Sequence, residues 1–326
     1  MKEEDIRKRE LFDKYLEIVA RDIVDNFDFN SFVSVNCPSC SSSETIYEFD
    51  KDGFKYVSCK NCDTLFINPR PPFYVLKRFY SESISTHFFV NDFLKPVIEI
   101  RREKIFKPRA EYIKGLLDKK NSLVIGDIGA GFGLFLEELR KMLPANKYIA
   151  IEPSLEMSQI CQGKGLEVNC SCLEDIDNVE NTFDLLTAFE LIEHLYEPSL
   201  FFKKIYSMLR PEGYIYLTTL NGLGFDLLLL WNKSKSISPP HHLNFFNPAS
   251  IEYLMKDIGF EIIESSTPGK LDWDIIEGMI KNEGVDCGRF WNLLAKDGSE
   301  KSKNELQDWI SKNNLSSHMS ILAKKA

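Results

Sequence analysis

The sequence predicts an α/β fold, a doubly wound and mostly parallel seven-stranded sheet, with a small cysteine-paired module near the N-terminus and helical insertions. Three observations predict it. Strand-like and helix-like segments alternate from Ser122 onward, four of eight cysteines fall in two CxxC pairs, and two segments interrupt the alternation. Residues 1–34 open with a polar amphipathic helix whose apolar positions Ile6, Leu11, Tyr15, Ile18 and Ile23 recur at roughly helical intervals. Residues 35–72 form the cysteine-paired, Ser-rich module. Residues 73–121 read as a helical linker; from Lys95 to Lys120 nine Lys/Arg face four Asp/Glu, which predicts a solvated helix face running to Asp118.

Residues 122–326 carry the sheet. LVIGDI is its first strand, FGLFLEELRKML a helix, KYIAIE a strand, LEMSQICQ a helix, and a weak strand lies near Glu167 to Cys170. FDLLTAF follows as a buried strand, then a helix from Pro198 to Leu209 and the strand YIYLTTL, ended by Asn221-Gly222. A helix around Ile251 to Ile258 and the strands FEIIESS and MSILAK complete it. The interruptions fall at about 222–248 and 271–314, the second of them helical.

With 326 residues, 44% of them hydrophobic, the chain can bury the core of one large domain and a small one. Lys+Arg total 40 against 49 Asp+Glu, and the net charge of -9 repels phosphate backbones, so no nucleic-acid partner is expected. The apolar run in LGFDLLLLW falls far short of the ~20 residues that cross a membrane, and no span is predicted. The start MKEEDIRKRELFDKYL mixes both charge signs with apolar residues, unlike a secretory signal, so a cytoplasmic protein is expected. The scattered Cys161, Cys170, Cys172 and Cys287 fit a reducing compartment better than a disulfide framework.

Cys37-Pro-Ser-Cys40 and Cys59-Lys-Asn-Cys62, 18 residues apart, match the spacing of a tetrahedral four-thiolate zinc site. A redox dithiol needs only one CxxC. Four thiolates close the coordination sphere, so the metal is expected to be structural and to hold the following segment, NPRPPFYVLKRFY. Further on, Gly126 to Gly133, GDIGAGFG, joins a strand to an amphipathic helix and lets backbone approach a ligand closely. Such a loop alone fits a dinucleotide pyrophosphate, or is merely a tight turn. Two features favour a methyl donor instead: Glu152, ending the second strand, can accept both ribose hydroxyls, and Asp127 can face an ammonium. The third glycine also arrives one residue earlier than in GxGxxG.

On these residues, Ser122 to Ala326 resembles the class I S-adenosylmethionine-dependent methyltransferases. GDIGAGFG is similar to their first motif, IEPS to the ribose-binding acidic motif, FDLLTAFELIEHL to the fourth-strand motif and LRPEGYIYLTTLN to the fifth. The resemblance implies a Rossmann-like sheet in which Asp127, Gly129, Ala130, Gly131 and Gly133 line the methionine moiety and Glu152 holds the ribose. It places Cys172 and Leu173 beside the adenine and Phe189 and Glu190 against the donor, with core packing an equal alternative for Cys172. The order CPSC, CKNC, LFINPRPP, RFY is similar to zinc-ribbon methyltransferases of sugar-modification and surface-polysaccharide pathways. That implies S-adenosylmethionine and structural Zn2+ as cofactors, and Tyr80 closing over the donor. The implied acceptor is a small molecule, a hydroxyl of a sugar nucleotide or glycan intermediate ahead of a carbon or an amine.

Both interruptions follow strand ends where ligands gather in open α/β sheets, so both are expected to shape the acceptor pocket. The first holds SISPPHHLNFF, with two of the five histidines. Transfer to a hydroxyl requires removal of its proton, and a histidine titrates in the right range. His241 or His242 is therefore the candidate base, against the competing role of shaping the Pro-Pro turn. Glu190, Glu193 and His194 form an ExxEH set that resembles the metal-binding set of ubiquinone-pathway O-methyltransferases. The favoured alternative has no metal, Glu190 approaching the cofactor and His194 capping the loop. Trp273, Phe290 and Trp291 read as core fillers before ring-stacking groups. Two other functions stay open. An RNA methyltransferase is opposed by the acidic balance and by a module offering only Lys51, Lys55 and Lys60 around its cysteines. A non-catalytic zinc-ribbon adaptor with a vestigial cofactor fold is opposed by the presence of Gly129 and Glu152.

Overall fold

The computed structural model describes residues 2–117 and 122–326. Asp118, where the linker helix was expected to end, and the domain boundary at 121 lie outside the described residues. The chain divides into two units, each assembled from separate stretches. Met1–Ile98, Leu220–Ser250 and Ser266–Met319 make the first, and Glu99–Thr219, Ile251–Ser265 and Ser320–Ala326 the second. Both insertions thus group with the N-terminal residues, where the sequence pattern set them inside 122–326. The strands are β1 (Thr45–Lys51), β2 (Phe54–Cys59), β3 (Leu65–Ile67), β4 (Val124–Ile128), β5 (Lys147–Ile151), β6 (Glu167–Asn169), β7 (Phe183–Phe189), β8 (Leu209–Leu220), β9 (Asn244–Phe245), β10 (Phe260–Ser266) and β11 (His318–Lys325).

In the first unit, the helix Arg9–Asn26 buries Phe12, Tyr15, Val19 and Ile23, spaced three, four and four residues apart as a helical stripe requires. The buried face is therefore offset from the expected one, and Leu11 and Ile18 stay half-buried. Phe12 and Tyr15 pack on Phe93, with ring centroids 5.5 and 6.2 Å apart. An antiparallel sheet in the order β1-β2-β3-β9 carries the cysteine module. Its hairpin turns at Asp52-Gly53, both at positive φ. β9 comes from the first insertion, with Leu65 opposite Phe245 and Phe66 opposite Asn244. A two-residue strand leaves no periodic signal, so this pairing could not be read beforehand. The helices Asp272–Glu283, Arg289–Asp297 and Glu300–Lys312 fill the second insertion as expected. Trp273 is buried among Ile276, Leu230 and Ala295, and Trp291 packs against that cluster. Phe290 departs from its expected core role and is 65% exposed.

In the second unit the sheet order is β10-β11-β8-β7-β4-β5-β6. β4 pairs in parallel with both β5 and β7, which in turn pair in parallel with β6 and β8. Strand order reverses at β4, and ligands of doubly wound sheets bind at such a point, beyond the carboxyl ends of the strands. β4 is covered on both faces, so four of its five residues are buried, as parallel central strands require. Against it pack Phe135, Leu136 and Leu139 from the helix Leu134–Met142 and Ala110, Ile113 and Leu117 from the helix Lys107–Leu117. Each of the Phe, Leu and Ile side chains contributes roughly 2 kcal/mol by leaving water. The basic stretch expected as a solvated face is partly turned inward. Arg102 and Arg109 side chains are each 13% exposed, Arg102 bonding Glu137 and Glu138 at 2.9 and 2.8 Å. Among the described residues no helix is long and apolar enough to cross a membrane.

Candidate functional site

Between the end of β4 at Ile128 and the helix starting at Leu134 the chain turns within five residues, three of them glycines. Gly129, Gly131 and Gly133 take φ of 68°, 54° and 68°, a region that side chains disfavour. At Gly133 a Cβ would also fall 2.9 Å from both Cys161 Sγ and Leu166 Cδ1, so any other residue would have to push those side-chain tips aside as well as adopt a positive φ. The loop is pinned by Gly129 N–H donating to the Ile151 carbonyl at 2.8 Å and Gly133 N–H to the Ala130 carbonyl at 2.9 Å.

Two buried carboxylates flank this loop. Glu152 follows β5, where its Oε2 accepts the Gly131 N–H at 2.8 Å and its Oε1 the Ser154 N–H at 2.9 Å. Burial pushes its pKa up, and these two backbone donors oppose the shift. A carboxylate has about four acceptor sites, so capacity remains for two hydroxyls. Asp127 accepts from Thr187 Oγ1 at 2.6 Å. Burial pushes its pKa up to about 7, while the Thr187 bond and the Arg109 charge pull it down. A carboxyl poised in this way gains most from an incoming cation.

β7 ends at Phe189, whose ring meets Phe135 edge-on at 4.8 Å. Glu190 follows at φ 49°, an uncommon conformation for a residue with a side chain. It is held there because its N–H donates to the Thr218 carbonyl, and its Oε1 accepts from Thr218 Oγ1 at 2.7 Å and Arg109 Nη2 at 2.9 Å. The Arg109 guanidinium also lies 4.6 Å from the Phe189 ring centroid. Arg109 was not singled out in the sequence, where it sat among eight other cations with no signal of its own. Of the ExxEH set, only Ile192–His194 is helical, so Glu190 does not share the single turn expected for all three. Glu193 is fully buried, accepts from Thr219 Oγ1 at 2.8 Å, and is pushed up to about 8 by burial and then by Glu190. Leu173 is buried, and Cys172, half-buried, precedes the short helix Leu173–Asp175.

The remaining expected residues lie in the first unit. His241 is 7% exposed, its ring 5.1 to 5.8 Å from the rings of Phe79, Tyr80 and Tyr15. The Tyr80 hydroxyl donates to the His241 carbonyl at 3.1 Å. His242 is half-buried; its N–H donates to the Ser238 carbonyl at 2.9 Å and its Nδ1 lies 2.6 Å from the Ser236 carbonyl oxygen. A carbonyl oxygen only accepts, so Nδ1 is the protonated nitrogen in that contact, and His242 helps to shape the Pro-Pro turn.

The Sγ atoms of Cys37, Cys40, Cys59 and Cys62 all lie within 4.8 Å of one another. Zn–S bonds of about 2.3 Å in a tetrahedron space sulfurs by about 3.8 Å, so this set fits one ion. The two turns are built alike. Ser41 N–H donates to the Cys37 carbonyl and Asp63 N–H to that of Cys59, both at 3.0 Å, with Ser41 and Asp63 at positive φ. Hydrogen bonds from Cys37 and Thr64 hold the Cys62 thiol below its ordinary range, and the same contact with Cys62 pushes Cys37 up.

The profile of a family described as a methyltransferase domain matches residues 98–265. The ubiquinone biosynthesis O-methyltransferase of Parvibaculum lavamentivorans is 34% identical over 99 residues, 29% of this chain and 39% of that protein. That of Xanthomonas axonopodis pv. citri is 25% identical over 171 residues, covering 48% of this chain and 70% of that protein. The chain thus spans well under half of the first relative and about two thirds of the second. These names belong to a quinone pathway, whereas the motif order around the cysteines pointed to sugar pathways. Among solved structures, the complex between the Haloferax volcanii Trm112 methyltransferase activator and a methyltransferase is similar in fold. The TM-score is 0.50 at 13% identity, over 70% of this chain and 92% of that one.

Proposed function

Because this chain belongs to the methyltransferase-domain family and is an S-adenosylmethionine-dependent methyltransferase, we propose that it methylates a hydroxyl of a small-molecule acceptor, with His242 as general base and a structural zinc ion on its four cysteines. The observation that supports the base assignment is the Nδ1–Ser236 contact at 2.6 Å, which requires a protonated Nδ1 and so would make Nε2 the ring atom that takes up the acceptor's proton. Bound S-adenosylmethionine supplies an electrophilic methyl group. Glu152 would accept the ribose hydroxyls and Asp127 the ammonium, while Gly129, Ala130, Gly131 and Gly133 bring backbone against the methionine part. Cys172 and Leu173 would border the adenine and Tyr80 the donor. Phe189 and the clipped Glu190 would bound the methyl end. His241, caged by three aromatic rings, is the weaker candidate for proton transfer and acts as part of the cage.

The O-methylating relatives support a hydroxyl acceptor. Their acceptor class does not follow, because the family match at 98–265 leaves out the cysteine module and the helical insertion of 271–314. The motif order around the cysteines supports a sugar nucleotide or glycan intermediate, and the relatives' names support an intermediate of ubiquinone biosynthesis. Transfer of label from S-adenosylmethionine to a panel of nucleotide sugars, phenols and RNA tests the reading. Label on the hydroxyl of one small-molecule class, lost in His242→Asn, is expected. Label on RNA alone, or an unchanged rate in the variant, contradicts it.

A further inference from the structure

The cysteine module was expected to hold the segment that follows it; Asn68, at the start of that segment, donates its N–H to the Lys55 carbonyl and accepts the Val35 N–H on Oδ1, both at 3.0 Å. Its more extensive grip is on the histidine loop. Ile67 N–H donates to the Leu243 carbonyl at 3.0 Å, β3 pairs with β9 directly after the histidines, and Arg70 Nη2 donates to Asn244 Oδ1 at 3.1 Å. Asn247 Nδ2 donates at 2.8 Å to the carbonyl of Cys62, itself one of the four thiol residues. Ser39, inside the first CxxC, donates its hydroxyl to the Ser250 carbonyl at 2.7 Å.

Two contacts converge on His242. Tyr56, fully buried in β2, donates its hydroxyl to the His242 carbonyl at 3.1 Å. On the ring side, Lys51 Nζ donates to the Ser234 carbonyl at 2.5 Å, Ser234 Oγ accepts the Ser236 N–H at 3.2 Å, and the Ser236 carbonyl meets His242 Nδ1. The Lys51 pKa is pushed down to about 8 by burial, so the carbonyl contact is the polar partner that keeps it inside. Phe49 meets Trp231 edge-on at 5.1 Å and fixes the start of the same loop.

We infer that Tyr56 and Lys51 are positioning residues through which the metal-bound module sets the backbone and the ring of His242. This rests on the proposed role of His242, and it assigns the zinc a task at the histidine loop rather than stability alone. A sheet tied to four thiolates is stiff, whereas the loop around Pro-Pro is irregular but for the two residues of β9 and takes part of its backbone pairing from β3. The module lends it a second strand and two aimed donors.

The test uses full-length zinc-loaded protein, its chelator-stripped form and Tyr56→Phe, with two readouts: amide exchange across 241–247, and the imidazole carbon-bound proton signals of the five histidines. Tyr56→Phe should keep one zinc per chain and wild-type donor affinity, yet exchange roughly five-fold faster at 242–246, the effect of one lost hydrogen bond. It should shift His242 while leaving His87 and His318 in place. Stripping the metal should abolish protection at 241–247 and broaden both loop histidines. Unchanged exchange and unchanged His242 signal in Tyr56→Phe would overturn the inference, even if the stripped protein unfolds. If these signals respond but His242→Asn still transfers methyl groups at the normal rate, the base assignment fails and the mechanical coupling stands.

Discussion

In the second unit, the residues assigned to the donor lie within a few positions of strand ends, Asp127 to Gly133 after β4, Glu152 after β5, Phe189 and Glu190 at the end of β7. In the first unit, the histidine pair is held by Lys51, Tyr56, Ile67 and Arg70, all more than 170 residues earlier in the chain. A site made at strand ends needs local backbone geometry and one or two buried carboxylates. A site made on a loop needs a scaffold imported from elsewhere, and here that scaffold carries the cysteine cluster. The difference teaches that the two halves of the reaction should be separable by mutation: binding of the donor on one side, handling of the acceptor proton on the other.

His242→Asn gives the hardest test of that separation. It should lower kcat by roughly 100- to 10,000-fold, the usual contribution of a general base, and leave S-adenosylmethionine affinity unchanged. Glu152→Ala should do the reverse, weakening the donor by roughly 10- to 100-fold through loss of charge-assisted bonds to two hydroxyls. A calorimetric titration of both variants would break the comparison if either crossed over.

Asp127 sharpens it through pH. Its carboxyl is raised from 3.8 to about 7, so the folded, donor-free protein holds this proton more tightly than the unfolded chain. The stability it contributes is therefore complete below pH 4 and is lost as pH rises through about 7. The donor's ammonium favours the ionised form, so affinity should rise between pH 6 and 8, by up to about ten-fold per unit on the acid side. Asp127→Asn should flatten that profile, weaken binding and raise the Tm of donor-free protein at pH 8. A profile unchanged by the substitution would remove Asp127 from the ammonium site. The smallest effect is expected at Cys172, where Ala should change donor affinity by less than about two-fold if the side chain only packs. A larger loss would mark a specific contact.

What the sequence showed and what it hid divide along the same line. Alternating periodicity exposed the sheet, the CxxC spacing the cysteine cluster and the glycine run the strand-to-helix turn after β4, because each depends on residues that are close in sequence. The buried stripe of the first helix was misplaced onto Leu11 and Ile18 because each has an apolar neighbour, Phe12 and Val19, and packing against Phe89 and Phe93 draws Phe12 and Tyr15 inward. Arg109 looked like any surface cation until Glu190 and the Phe189 ring were placed beside it. The β3–β9 pairing rests on two residues and carries no pattern at all. Grouping of both insertions with the N-terminal third was hidden for the same reason, since long-range contacts write nothing into local composition.

One measurement bears most directly on the central claim: titration of zinc-loaded protein with S-adenosylmethionine, run in parallel on wild type, Glu152→Ala and His242→Asn. The account predicts equal affinity for wild type and His242→Asn, and binding at least ten-fold weaker for Glu152→Ala, the loss of one charge-assisted contact. Wild-type affinity in Glu152→Ala, or loss of the donor in His242→Asn, would contradict it.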